Sequence, residues 1–187
     1  MKATDGNYAI LGNHDYGEYY DWPDEKAHQD NMQKLIRAHE KSGFTLLLNR
    51  SVKISRKEEN IFLAGVENWG LPPFKQYGDL GKALLEIPEA GFTLLLSHDP
   101  SHWDEEVKGH TGVHLTLSGH THGMQFGIRT GKFRWSPIQL KYPRWIGLYR
   151  QEFQYLHVSP GLGYIGYAGR IWIPPEISVL TLRKSIS

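Results

Sequence analysis

With 187 residues, 40% hydrophobic and 22% charged, the chain has the make-up of one globular domain with a real core and is short for two. A net charge of +1 argues against a dedicated nucleic-acid surface, and the lack of cysteine leaves any metal to nitrogen and oxygen ligands. The apolar runs are too short to cross a bilayer, and the opening MKATDGNYAI has no signal-peptide pattern.

Residues 7–11 (NYAIL) read as a short strand that stops at Gly12-Asn13-His14-Asp15. Met32, Leu35 and Ile36 recur at helical spacing between Lys26 and Lys41, and Ser42-Gly43 supplies a stop. FTLLLN (44–49) reads as a buried strand, and VKIS (52–55) with IFLAGV (61–66) as a hairpin around a polar stretch. Asp79 is placed to cap a short helix running to about Glu86, closed by Pro88. FTLLLSHDP (92–100) fits a strand covered on both faces. In VHLTLSGHTH (113–122), Val113, Leu115 and Leu117 alternate with His114, Thr116 and Ser118, the pattern of a strand with one face buried. YLHVS (155–159) and ISVLTL (177–182) read as late strands, and the sum is a strand-rich α/β domain without repeats.

Three of these strands run straight into loops of one character: GNHDYG at 12–17, SHDP at 97–100 and SGHTHG at 118–123. The carboxyl ends of neighbouring strands in an α/β sheet gather at one edge, where ligand sites form. That edge can bring Asn13, His98, His120 and His122 together, and flanking glycines allow the close approach such a cluster needs. A lone histidine is more often a core or surface residue, and Asn-His-Asp alone is compatible with a polar turn. Three such loops, each at a strand end, favour a site.

GNHD, a strand-terminal histidine and GHTH, in that order, resemble the calcineurin-like metallophosphoesterase superfamily. ILGNHDYG, LLLSHDP, LSGHTHGMQFG and the tail PGLGYIGYAGR…PPEISVLTL are similar to its bacterial, often membrane-associated members, from about Asn7 to the end. The resemblance implies one domain over residues 1–187, an αββα four-layer sandwich without its first βαβ portion. It implies that Asn13, His98 and His120 bind one metal of a pair while His122 helps bind the other, and that His14 protonates the leaving oxygen with Asp15 orienting its ring. Two divalent ions (Mn, Fe or Zn) would polarise the phosphoryl oxygens and acidify a water between them. The implied reaction is hydrolysis of a phosphoester or pyrophosphate, with a lipid-linked substrate preferred and a nucleotide phosphodiester second. The full-length protein is expected to be cytoplasmic or membrane-associated.

The chain departs from that pattern in one respect. It contains no Asp-x-His, and its one Gly-Asp pair, Gly78-Asp79, follows GNHD and lacks an apolar strand ahead of it. The expectation is a C-terminal part of a longer protein that alone binds at most one ion weakly and has negligible activity. The alternative is a non-catalytic fragment that keeps only part of the metal site.

Other features weigh less. Met124 stands at the second glycine of the common GHTHGGQ, His102 and Trp103 have a structural role more readily than a pocket one, and His110 and His114 are not ligand candidates. Gly161–Gly166 spells GxGxxG, but Pro160 and the absence of a following helix argue against a dinucleotide site. Residues 128–150 interleave Arg129, Lys132, Arg134, Lys141, Arg144 and Arg150 with Phe133, Trp135, Tyr142, Trp145 and Tyr149 and carry no acid. This segment suits either peripheral membrane contact or aromatics turned into a core with cations outward.

Overall fold

A computed structural model describes residues 3–109, 111–131 and 133–184; His110 and Lys132 lie outside the described residues. Its centre is a six-stranded mixed sheet in the order β3-β4-β5-β6-β10-β9. The members are β3 (Arg50–Arg56), β4 (Glu59–Gly65), β5 (Thr93–Leu96), β6 (Val113–Ser118), β9 (Gly147–Gln151) and β10 (Gln154–Val158). β4, β5, β6 and β10 run parallel, and the antiparallel β3 and β9 close the two edges. The α/β class expected from the sequence is the class observed. Of the second sheet of a four-layer sandwich, the described residues hold the parallel pair β1 (Tyr8–Ala9) and β2 (Thr45–Leu46).

Ala64, Leu95, Val113, Leu156 and Val158 from the four parallel strands, with Val66 just past β4, pack with Leu80, Ala83, Trp103 and Val107 into the main core. Burying one such aliphatic side chain contributes about 1.5–3 kcal/mol. Helix α1 (Glu25–Lys41) is capped by Asp24, whose side chain accepts from the Ala27 amide. Its Met32, Leu35 and Ile36 pack on Leu46 of the smaller sheet and on Leu11 and Tyr16 of the loop after β1. Asp79 caps α2 (Leu80–Leu84) as expected, accepting from the Lys82 amide at 2.8 Å.

Two expectations are corrected. β6 is covered on both faces: Thr116 is fully buried and Leu117 is the half-buried one, because a strand between β5 and β10 with layers above and below has no wet side. Residues 177–182 form no strand; they have no regular structure and no ladder partner, and Val179 and Leu180 are exposed. The basic and aromatic segment, read as loop or interface, contains the hairpin β7 (Ile128–Thr130) and β8 (Phe133–Trp135) and ends in β9. Its rings divide: Tyr142 and Trp145 are buried with Ile146 and Ile173, while Phe133 and Trp135 face outward.

Candidate metal centre

The carboxyl ends of β1, β5 and β6 deliver the three histidine- and asparagine-bearing loops to one cavity of about 620 Å³. Asn13, His14, Asp15, His98, His120 and His122 all line it, so the structure brings together every candidate residue of the sequence. Three of them meet at one point. Asn13 Oδ1 lies 3.0 Å from His98 Nε2 and 3.1 Å from His120 Nδ1, and the two ring nitrogens are 3.2 Å apart. The Asn13 amide is oriented by its Nδ2, which donates to the Tyr19 hydroxyl at 2.8 Å.

These separations suit a common cation. Donors at about 2.1 Å from an ion in adjacent octahedral positions stand about 3.0 Å apart. Among the described residues no three His, Cys, Asp or Glu side chains gather as a metal-holding group; this cluster is two imidazoles and a carboxamide. His122 lines the same cavity apart from the triad, and its Nδ1 is buried without a hydrogen-bond partner. A free donor atom there fits a second ligand position.

The backbone bends to aim these rings. His120 and His122 have φ of 64° and 50°, and Met124 and Gln125 also lie in the left-handed region. Such angles at non-glycine residues cost roughly 1–3 kcal/mol each and persist where surrounding contacts hold them. The Thr121 hydroxyl donates to the Trp145 carbonyl at 2.8 Å, and buried Gln125 accepts from the Ile165 amide and donates to the Tyr167 carbonyl at 2.8 Å. Gln125 thereby ties the 161–171 loop over the cavity, where Tyr164 and Ile165 form part of the wall.

Gly12 is needed for close approach. A Cβ at that position would sit 2.6–2.7 Å from three atoms of the His98 ring. Burial also sets the charge state: it pushes His98 down to about 3 and His120 down to about 4, with mutual repulsion among the rings adding to both shifts. Both imidazoles are neutral near pH 7, the state that offers a lone pair.

His14 is exposed at the cavity mouth, its ring tilted against Tyr19 at a centroid distance of 4.8 Å. Asp15 Oδ2 accepts from the Gly12 amide at 2.7 Å and closes the GNHD turn. His102 is a core residue, bonded to the Ser97 hydroxyl at 2.9 Å, and His114 sits at the far end of β6 against Phe92. Residues 161–166 form no helix start, so the GxGxxG spelling has no dinucleotide geometry.

Sequence reasoning missed the groups behind His120. Its Nε2 lies 2.8 Å from the Tyr142 hydroxyl and 3.3 Å from Asp99 Oδ2. Asp99 is buried, which raises its pKa, and its other oxygen accepts from the Ser101 amide and hydroxyl, which lowers it. The carboxylate next to the histidine in SHDP was the available signal. Tyr142 had none, since it arrives from a distant segment. Phe74 packs edge-on against His120 at 5.0 Å, and Lys141 stands over the Phe74 and Tyr142 rings at the rim.

Comparison with known proteins finds relatives named metallophosphoesterases. Over 99% of its length the chain is 30% identical to a transmembrane protein with metallophosphoesterase domain of Danio rerio, covering 40% of that protein. It is 30% identical over 97% of its length to an uncharacterized metallophosphoesterase of Helicobacter pylori, covering 44% of it. With the uncharacterized metallophosphoesterase YkoQ of Bacillus subtilis, identity is 27% over 95% of the chain and 60% of the relative. The chain thus spans about half the length of these curated relatives. No family model and no solved structure matches it.

Proposed function

Because the chain belongs to the calcineurin-like metallophosphoesterase superfamily, we propose that it forms the carboxyl-terminal side of a metal-dependent phosphoester hydrolase site. The observation that carries this reading is the convergence of Asn13 Oδ1, His98 Nε2 and His120 Nδ1 within 3.2 Å of one another. These three hold one divalent ion, Mn, Fe or Zn by the chemistry of the donors, and His122 supplies one ligand to a second. Ions so placed supply Lewis-acid polarisation of a bound phosphoryl group. The chain's own residues do the rest. His14, exposed at the mouth, gives a proton to the departing oxygen. Asp15 holds the turn that presents it, and Tyr19 fixes the Asn13 carboxamide.

The preferred substrate is a phosphoester or pyrophosphate on a lipid. Met124, Tyr164 and Ile165 line the cavity and remain exposed, offering an apolar wall beside the donor cluster. Phe133 and Trp135 present rings outward from the basic segment, and the Danio rerio relative is named a transmembrane protein. We therefore place the full-length protein at a membrane surface, touching it through 128–150. No helix among the described residues is long and apolar enough to cross a membrane.

A second reading, a non-catalytic chain that keeps part of a metal site, draws on one observation. Among the described residues no carboxylate joins the donor cluster: Asp99 stands behind His120 and Asp15 is tied to Gly12. Without an anion between them, two cations at short range repel, so this chain alone holds one ion at most. Hydrolysis of an aryl phosphodiester in Mn²⁺ separates the readings. A longer chain that supplies Asp-x-His and Gly-Asp segments ahead of residue 1 should be active and its His98→Ala form inactive. Equal rates in the two overturn the hydrolase reading.

A further inference from the structure

The groups around His120 bear on where its proton sits. An ionised carboxylate only accepts, so the Tyr142 hydroxyl donates to Asp99 Oδ2, from which it lies 3.4 Å away. The Tyr142 oxygen then accepts from His120 Nε2 at 2.8 Å, and Asp99 Oδ2 itself lies 3.3 Å from the same nitrogen. The charged, acceptor-only carboxylate draws the single imidazole proton to Nε2 more strongly than the neutral Asn13 Oδ1 draws it to Nδ1. A neutral imidazole carries one N–H, so Nδ1 keeps its lone pair, and Nδ1 is the atom that faces Asn13 Oδ1 and His98 Nε2.

We propose that Asp99, directly and through Tyr142, is a positioning residue that locks His120 in the Nε2–H tautomer and so turns its Nδ1 lone pair toward the donor cluster. Asp99 is built for that task. It is 1% exposed, and its Oδ1 is held by the Ser101 amide at 2.8 Å and the Ser101 hydroxyl at 2.7 Å, leaving Oδ2 aimed at His120 and Tyr142. A Cβ on Gly70 would come within 2.6 Å of Oδ2, so the backbone there has been kept clear for the carboxylate. Phe74 closes another side of the ring edge-on, which restrains a flip. With Nδ1 bare, a single proton on His98 Nε2 can satisfy one neighbour, whereas a cation satisfies all three donors at once. A carboxylate behind a ligating histidine acts in this way by fixing tautomer and orientation, and its loss costs about 10–100-fold in metal affinity.

The inference rests on reading Asn13, His98 and His120 as metal donors, and its test separates the two ideas because the tautomer is observed without metal. Long-range proton–nitrogen correlation spectra of the ¹⁵N-labelled, metal-free chain at pH 7.5, with His120 assigned by a His120→Gln variant, should show Nε2 protonated and Nδ1 bare. The isosteric Asp99→Asn exchange places an N–H donor opposite the ring and should move the proton to Nδ1. Its affinity for Co²⁺ should then fall about 10–100-fold. Tyr142→Phe keeps the direct Asp99 contact and should retain the Nε2–H form, and it serves as the informative variant should Asp99→Asn fail to fold. A wild-type proton on Nδ1, loss of the Nε2–H form in Tyr142→Phe, or an unchanged tautomer in folded Asp99→Asn overturns the inference. An Nε2–H tautomer in a chain that binds no Co²⁺ supports it and refutes the metal-site reading instead.

Discussion

Gly12→Ala is the sharpest perturbation of the cluster that leaves every donor atom in the chain. The added carbon would lie 2.6 Å from Cε1 and 2.7 Å from both ring nitrogens of His98. Ordinary contacts to carbon lie near 3.5–4.0 Å, so about 1 Å of movement is required. Two routes exist, and both break the triad. The ring can retreat, which removes His98 Nε2 from its 3.0 Å contact with Asn13, or residues 11–13 can recede and take Asn13 with them. Metal sites tolerate donor displacements of about 0.2 Å, so either route forfeits a direct donor and should weaken Co²⁺ binding at least 10-fold. Overpacking of a buried position adds roughly 1–3 kcal/mol of destabilisation, or about 2–12 °C in Tm for a chain of this size. Calorimetric titration with Co²⁺ and thermal melting of the metal-free protein read the two effects separately. Affinity within two-fold of wild type together with an unchanged Tm would refute the argument.

Acid should loosen the metal-free protein through its buried histidines. His98 and His120 bind protons near pH 3 and 4 when folded, against about 6.5 when unfolded, so the unfolded chain takes up more protons as pH falls below 7. Burial lowers His102 in the same direction. Urea midpoints should therefore fall between pH 7.5 and 5, with each of the two site histidines contributing up to about 1.4 kcal/mol per pH unit, and a flat profile would count against buried neutral imidazoles. Asp99, whose pKa burial raises, acts with the opposite sign. Gln125→Ala removes the side chain that holds the Ile165 amide and the Tyr167 carbonyl, so limited proteolysis should begin within 161–171 and stability should drop by about 1–3 kcal/mol. Resistance equal to wild type contradicts that role. His14→Ala should leave Co²⁺ affinity within two-fold, because the exposed ring makes no contact with the triad; a ten-fold loss would make His14 a ligand.

The α/β class and the gathering of the three polar loops at one sheet edge were legible in the sequence, and the reasons are physical. Strands that run into Gly-Asn-His-Asp, Ser-His-Asp-Pro and Gly-His-Thr-His announce a sheet edge, because only there do small and polar residues follow an apolar run so abruptly. The capped helices were legible through Asp24 and Asp79, whose short carboxylates accept from amides three residues on. The strand reading of 177–182 failed because alternation along a chain carries no information about whether a ladder partner exists. Thr116 misled for a related reason: its hydroxyl suggested a wet face, yet central position in the sheet decides burial there. The Asp15 carboxylate was close enough in sequence to serve either the His14 ring or the turn's own backbone, and spacing cannot choose between them. Tyr142 and Tyr19, which orient His120 and Asn13, were out of reach because their roles arise from tertiary packing alone.

The account depends most on a cation shared by Asn13, His98 and His120. Titration calorimetry of Mn²⁺ into the metal-free wild type and into Asn13→Ala, His98→Ala and His120→Ala tests it directly. The wild type should take up one ion per chain, and each replacement should weaken uptake at least 10-fold while circular dichroism stays unchanged. Absence of binding in the wild type, or binding that all three replacements leave intact, would contradict it.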